Sequence, residues 1–461
     1  MSERSGSADD FGWLSVVRLG LVQASIGAVV VLTTSTLNRV MVVELALPAL
    51  LPGILVAFHY LIQVMRPRMG HGSDVGGRRT PWIVGGMALL ATGGVVAAVA
   101  VSIIPAHREA GIALAFCGFA MIGLGVSASG TSLLVLLAKR VQAERRAASA
   151  TIVWLMMIVG FAVTAGVAGR LLDPYTPARL IAVSSGVSLV AVVLTVVALA
   201  GLEGRPTAAP SAAAAPRAKA DFRTALAEVW REAEARRFTI FIFVSMLAYS
   251  AQDLILEPFA GAVFHFTPGQ STSLSGVQHG GVLVGMLLAT LAGRRWRGRS
   301  TGSLRAWTIV GCALSACALV GLVAASLVGA TWPFKATVML LGAANGVFSI
   351  AAIGSMMRLA SHGHASREGM RMGLWGGAQA VAFGLGGLVG TGASDLARWL
   401  LGAPELSYAS VFAFEALLFV AAAWLAAGIG GPAEATVRRA RGSSAPTNPV
   451  HLPEPPHAVG A

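Results

Sequence analysis

Gly70-His71-Gly72-Ser73-Asp74-Val75-Gly76-Gly77-Arg78-Arg79 separates two long apolar runs, one ending near residue 65 and the next opening at Pro81. Its glycines allow the tight turn that a chain needs to re-enter a membrane at once. Its paired arginines favour the side of the bilayer that collects positive charge. Outward from this loop the pattern repeats. Roughly twelve segments, near 14–37, 47–65, 81–104, 110–137, 148–171, 179–202, 238–262, 273–292, 305–329, 333–357, 373–400 and 407–429, approach the length of about 20 apolar residues that spans a bilayer. Hydrophobic residues make up 55% of the chain and charged residues 12%, with a mean hydropathy of +0.72. A water-soluble surface needs far more charge, so a soluble protein is excluded.

The net charge of +13 raises the question of a nucleic-acid partner. Its distribution answers no. With the N-terminus inside, about 28 of the 34 Lys and Arg residues fall on the inner side and about six outside, namely Arg39, Arg108, Arg170, Arg179, Lys335 and Arg398. The reverse orientation puts the basic charge on the wrong side, so both termini are expected in the cytoplasm. Residues 1–13 carry Glu3, Asp9 and Asp10, unlike the basic start of a cleaved signal peptide. Cys117, Cys312 and Cys317 all lie in apolar segments and read as packing residues.

The pattern divides the chain into a short cytoplasmic segment (1–13), a first six-helix bundle (14–202), a cytoplasmic linker (203–237), a second bundle (238–430) and a disordered cytoplasmic tail (431–461). The linker is rich in Pro and Ala up to Pro216. From Asp221 to Arg237 it becomes amphipathic, with Phe222, Leu226, Val229 and Trp230 among charges. The bundles are weakly repeated. Asn38-Arg39 is followed by Glu44 and Pro48, and Gln252-Asp253 by Glu257 and Pro258. The basic loop Gly293-Arg294-Arg295-Trp296-Arg297-Gly298-Arg299 answers the opening loop but has no acid in the place of Asp74.

The spacing Gly70-x3-Asp74-x2-Gly77-Arg78-Arg79 resembles the loop after the second helix of major facilitator superfamily transporters. The resemblance implies an all-α integral membrane protein with twelve transmembrane helices in two pseudo-symmetric six-helix bundles. It also implies a latch. Asp74 is expected near the start of the eleventh helix, Arg367-Glu368-Gly369-Met370-Arg371, where a helix N-terminus favours a carboxylate. Val75 departs from the motif, which usually has a basic residue there.

Charge at membrane depth is costly and marks sites. Asn38, Arg39, Glu44, Gln252, Asp253 and Glu257 are expected near the outer ends of the first and seventh helices, with Arg39 meeting Asp253 or Glu257. A structural salt bridge and a gate or substrate-contact cluster are both open. Glu415 in the twelfth helix is isolated. His59 and His279 occupy equivalent helices of the two halves and are candidates to ligate a chlorin magnesium or carry a proton, with packing the plainer reading. His71, His362 and His364 read as solvated loop residues. The eleventh helix, with Gly373, Gly376, Gly377, Gly384, Gly386, Gly387 and Gly390, suits close helix packing or a flat wall for a planar ligand. No Walker loop, Ser-His-Asp set or metal-protease motif is present, so neither ATP use nor catalysis is expected.

Three stretches carry a narrower resemblance: Thr36-Leu37-Asn38-Arg39-Val40-Met41-Val42-Val43-Glu44-Leu45, Tyr249-Ser250-Ala251-Gln252-Asp253-Leu254-Ile255-Leu256-Glu257-Pro258-Phe259-Ala260-Gly261 and Gly373-Leu374-Trp375-Gly376-Gly377-Ala378-Gln379-Ala380. They resemble PucC-type proteins, the bacteriochlorophyll delivery family of the major facilitator superfamily. Val75-Gly76-Gly77-Arg78-Arg79-Thr80-Pro81-Trp82 is closer to the branch encoded beside late bacteriochlorophyll-synthesis genes. The resemblance implies a protein of the bacterial inner or intracytoplasmic photosynthetic membrane that handles bacteriochlorophyll for light-harvesting assembly. It needs no obligatory cofactor, carries bacteriochlorophyll as a bound pigment, and has light-harvesting apoproteins or bacteriochlorophyll synthase as partners. A proton-coupled carrier of a small solute is the alternative.

Overall fold

The computed structural model describes residues 11–63, 78–142, 145–203, 230–292, 303–361 and 368–429. Among these, twelve helices follow one another: α1 (Trp13–Glu44), α2 (Leu50–Ile62), α3 (Thr80–Ile103), α4 (Arg108–Arg140), α5 (Arg146–Leu171), α6 (Pro177–Leu199), α7 (Ala233–Phe264), α8 (Pro268–Ala292), α9 (Leu304–Val328), α10 (Phe334–Ser361), α11 (Glu368–Leu401) and α12 (Pro404–Ala427). Eleven are long and apolar enough to cross a bilayer; α2 is described for 13 residues. Helix α7 begins earlier than expected and absorbs the last residues of the linker. Gly70, Asp74 and Gly77 of the expected latch, and the tail from residue 431, lie outside the described residues.

Two apolar cores organise the molecule. Side chains of α1–α6 form one, around Leu19, Leu90 and Phe119. Those of α7–α12 form the other, around Phe241, Phe348 and Phe412. A small third cluster, Ile158 with Val282 and Met286, joins α5 to α8 across the seam. Leu189, Val190, Val193 and Val197 of α6 are exposed, the pattern of a helix facing lipid.

Call the face at which α1 starts and α12 ends the terminal face, and the other the distal face. At the terminal face the halves repeat. Arg18 of α1 donates to Ala198 O at 2.8 Å and to Ala200 O at the end of α6. Arg237 of α7 donates to Gly428 O at 3.2 Å at the end of α12. Both cations satisfy carbonyls that a helix leaves open at its C-terminus.

Two irregularities shape the distal half. In α1 the turns widen to π-helix over Leu32–Leu37 and again over Val40–Glu44. The widening starts where the Thr33 and Thr34 hydroxyls both donate to Val30 O, at 2.8 and 3.1 Å, and so compete with the helix ladder. In α7, Pro258 has no N–H to give Leu254 O. Asn38 takes that carbonyl, its Nδ2 lying 2.6 Å away. The proline of one half is thus matched by the asparagine of the other.

Candidate functional site at the distal seam

Arg39 stands between the two wide turns of α1, only 2% exposed. Its Nη1 meets Glu44 Oε1 at 2.9 Å. Nε donates to Ser271 Oγ of α8 at 3.2 Å and Nη2 to Phe266 O at 2.6 Å. The expected partners, Asp253 and Glu257, make no such contact. The reason is local: residues five apart are one turn apart in a π-helix, so Glu44 falls on the face of Arg39. The fit is tight. A Cβ on Gly261 would stand 2.5 Å from Arg39 Nε, so the glycine of α7 makes room for the guanidinium.

The α7 acids also lie deeper than expected. At 1.5 Å per residue, Asp253 is about 16 Å along the helix from Phe264, nearer the middle of the bundle than its end. It accepts from Gln278 Nε2 at 3.2 Å. Gln252 is fully buried, and its amide has no hydrogen-bond partner. Glu257 is equally enclosed, and neither of its oxygens is hydrogen-bonded. Glu415 is fully buried with both oxygens unpartnered, and Asp253 is its charged neighbour.

Further hydrogen bonds tie the halves together at this level. Ser35 and Ser275 hydroxyls lie 3.2 Å apart, and those of Thr36 and Thr272 2.9 Å apart. Thr267 Oγ1 donates to Asp173 Oδ1 at 2.6 Å. The Asp395 carboxylate of α11 accepts from the N–H groups of Ala49 (3.0 Å) and Leu50 (2.7 Å) at the start of α2. Between described residues, the hydrogen bonds joining the halves gather in the distal half, which is closed. Asp395 escaped the sequence reading. Its signal, an acid near the end of a helix pairing with a distant helix start, needs the fold to be seen.

At the terminal face Glu203, the first residue of the linker, caps α3, accepting from the N–H groups of Arg79 (2.5 Å) and Thr80 (2.8 Å) and from the Thr80 hydroxyl (2.6 Å). Burial pushes its carboxyl up. The three hydrogen bonds and the Arg79 charge outweigh this, and the net displacement is downward. Arg78 is exposed beside it. Arg371, at the start of α11, pairs with Glu232, just before α7, at 2.6 Å.

His59 lies with its Nε2 2.7 Å from Gln63 Nε2, and the amide donor occupies the imidazole lone pair. The His279 Nδ1 donates to Ser275 O at 2.9 Å, and its ring packs edge-on to Phe161 at 4.9 Å. Both rings are enclosed by protein. Rings also meet where α2 reaches the second half: Tyr60 packs on Phe383 of α11 at 5.6 Å, and behind it Tyr249 of α7 packs on Phe383 at 6.0 Å and on Phe348 of the second core at 6.4 Å. On α11, Gly386 and Gly390 press on the α7 backbone at Leu247 and Ala251, which is the packing role. A Cβ on Gly376 or Gly377 would meet nothing.

This architecture is that of a major facilitator-type membrane protein. Solved structures with the same fold include a proton-dependent oligopeptide transporter (TM-score 0.64, 16% identity, 90% of this chain and 98% of that one) and the nucleoside transporter NupG (0.61, 14%, 90% and 98%). Residues 36–432 match the PUCC protein family, and the chain belongs to that family. It is 53% identical to the bacteriochlorophyll synthase 44.5 kDa chain of Rhodobacter capsulatus, over 91% of this chain and 96% of the relative. Identity to Protein PucC of the same organism is 31%, over 88% and 90%. The difference agrees with the branch expected from Val75–Trp82.

Proposed function

We propose that this protein handles bacteriochlorophyll, binding it and passing it on for assembly of light-harvesting complexes, and that it catalyses no reaction. The observation that carries this reading is the contact of Tyr60 with Phe383 between the halves, backed by Tyr249 on the second half, an apolar ring surface that suits a flat pigment better than a hydrated solute. The 53% identical relative named for bacteriochlorophyll synthase supports the same cargo and makes that enzyme, with light-harvesting apoproteins, the expected partner. The basic residues favour an orientation with the terminal face in the cytoplasm, in a bacterial inner or photosynthetic membrane. The closed distal seam then makes this the state that receives pigment from the cytoplasmic side or the adjoining leaflet.

A second reading, a proton-coupled carrier of a small solute, draws on the buried acids Asp253, Glu257 and Glu415. One experiment separates the two. The protein is purified from a pigment-making host and from one lacking bacteriochlorophyll, and near-infrared spectra and thermal unfolding are compared. A ligand of the folded state present at 100 times its Kd stabilises by about 2.7 kcal/mol. Absence of pigment, no stabilisation by added pigment, and unchanged complexes on gene deletion would transfer the case to the solute carrier.

A further inference from the structure

Glu257 is a buried acid at the joint between the halves, 2% exposed, with no hydrogen bond to either oxygen. The groups that face it are few. From α1 come the Ser35 hydroxyl and the Arg39 guanidinium, from α8 the Ser275 hydroxyl, and from α7 itself Asp253. His279 of α8 directs Nδ1 to Ser275 O. On α12, Glu415 has Asp253 as its charged neighbour. The charged groups of α11 are engaged elsewhere, Asp395 at the start of α2 and Arg398 with the Tyr408 hydroxyl at 3.1 Å. Lys335 of α10 lies over the Phe266 ring.

The cation nearest to Glu257 is already committed. Arg39 holds Glu44 at 2.9 Å and spends its other donors on Ser271 and Phe266 O. An ionised Glu257 in this arrangement is a buried charge whose nearest cation is already paired and whose nearest donors are the Ser35 and Ser275 hydroxyls alone, which is unfavourable. A protonated Glu257 has an O–H for which the Ser35 and Ser275 hydroxyls are ready acceptors. Those hydroxyls come from opposite halves and lie 3.2 Å apart. Opening of the distal face would part them, admit water and free Arg39 from Ser271 and Phe266 O.

We propose that Glu257 is a proton-binding site. It holds one proton while the distal face is closed and yields it to entering water when that face opens, with Arg39 as the counter-charge of the carboxylate. The inference rests on alternating exposure of the two faces, not on which cargo moves. The closed state binds one more proton, so acid favours closure and alkali favours opening. One proton sets the limit: the closed-to-open ratio falls at most about tenfold per pH unit.

The test uses the full chain in lipid nanodiscs, with Cys117, Cys312 and Cys317 replaced by alanine and spin labels at the exposed distal-loop residues Ala106 and Thr331. Distances are recorded at steps between about pH 5 and 9, so that a one-proton slope can be read over several decades. The wild type is expected to gain the longer distance as pH rises. Glu257→Gln is expected to stay closed throughout, Glu257→Asp to keep the slope with a moved midpoint, and His279→Gln to keep the wild-type slope. Equal slopes in wild type and Glu257→Gln, or a slope abolished by His279→Gln alone, overturn the assignment. Movement without any pH dependence overturns it while sparing alternation. A distance that never changes in any variant sinks the alternation reading with it.

Discussion

The two faces of the molecule use their charges in opposite ways. At the distal seam Arg39, Asp173 and Asp395 each bond to a group in the other half. At the terminal face Arg18, Arg140, Arg237, Arg305 and Arg371 bond to groups in their own half: the ends of α6 and α12, Glu203 O and Glu232. Among the described residues, these basic side chains at the terminal face close each bundle on itself. At the distal face the same kind of bond holds the halves together.

The sharpest way to break this contrast is at Arg39. Gly261→Val puts carbon where the guanidinium lies and disconnects Arg39 from Ser271, Phe266 and Glu44 together. Breaking a buried, multiply bonded charge costs about 3 kcal/mol, read as a lower thermal midpoint in detergent. The distal loops should also become more reactive to water-soluble thiol reagents at cysteines introduced there. A fall in stability without new distal reactivity would mean that Arg39 supports packing alone. Next in size is Asp395→Ala. It strips the cap from α2, worth about 1–2 kcal/mol, and should open the same loops while leaving the terminal face unchanged.

How far these roles were legible in sequence depends on the distance over which each is set. The twelve spans follow from composition along the chain, and structure and sequence agree on them. Asn38, Arg39 and Glu257 stood out because polar and charged groups are rare at depth. Their pairing did not, since the first span was placed at 14–37, whereas α1 runs on to Glu44 and its two π-helical segments bring Glu44 onto Arg39. Pro258 was seen as a repeat marker, but only the fold reveals that it frees Leu254 O for Asn38. Glu203 and Asp395 cap helices 123 and 345 residues away, and no local pattern announces such a partner.

Glu203 offers a milder test. Glu203→Gln should cost about 1 kcal/mol at neutral pH, the worth of a helix cap, without changing distal reactivity. The pH dependence has a definite sign. Its carboxyl sits below the ordinary range in the folded chain, so its contribution is complete above the unfolded value and disappears as pH falls through the folded one. The gap between wild type and Glu203→Gln should therefore close in acid. A constant gap would assign the loss to packing rather than charge.

The smallest expected effect tests the repeat itself. Arg18→Gln and Arg237→Gln remove equivalent contacts at the ends of α6 and α12. A cation at a helix C-terminus is worth about 0.3–1 kcal/mol where exposed, so each change should lower stability by that much. Arg18 is the more enclosed of the two and bonds two carbonyls against the single one of Arg237, so it should sit at the upper end. The bonds lie in separate halves, and the double variant should show the sum of the singles within about 0.5 kcal/mol. A larger discrepancy, measured by denaturant titration in micelles, would show that the terminal ends of the halves are coupled after all, and the contrast between the two faces would fail.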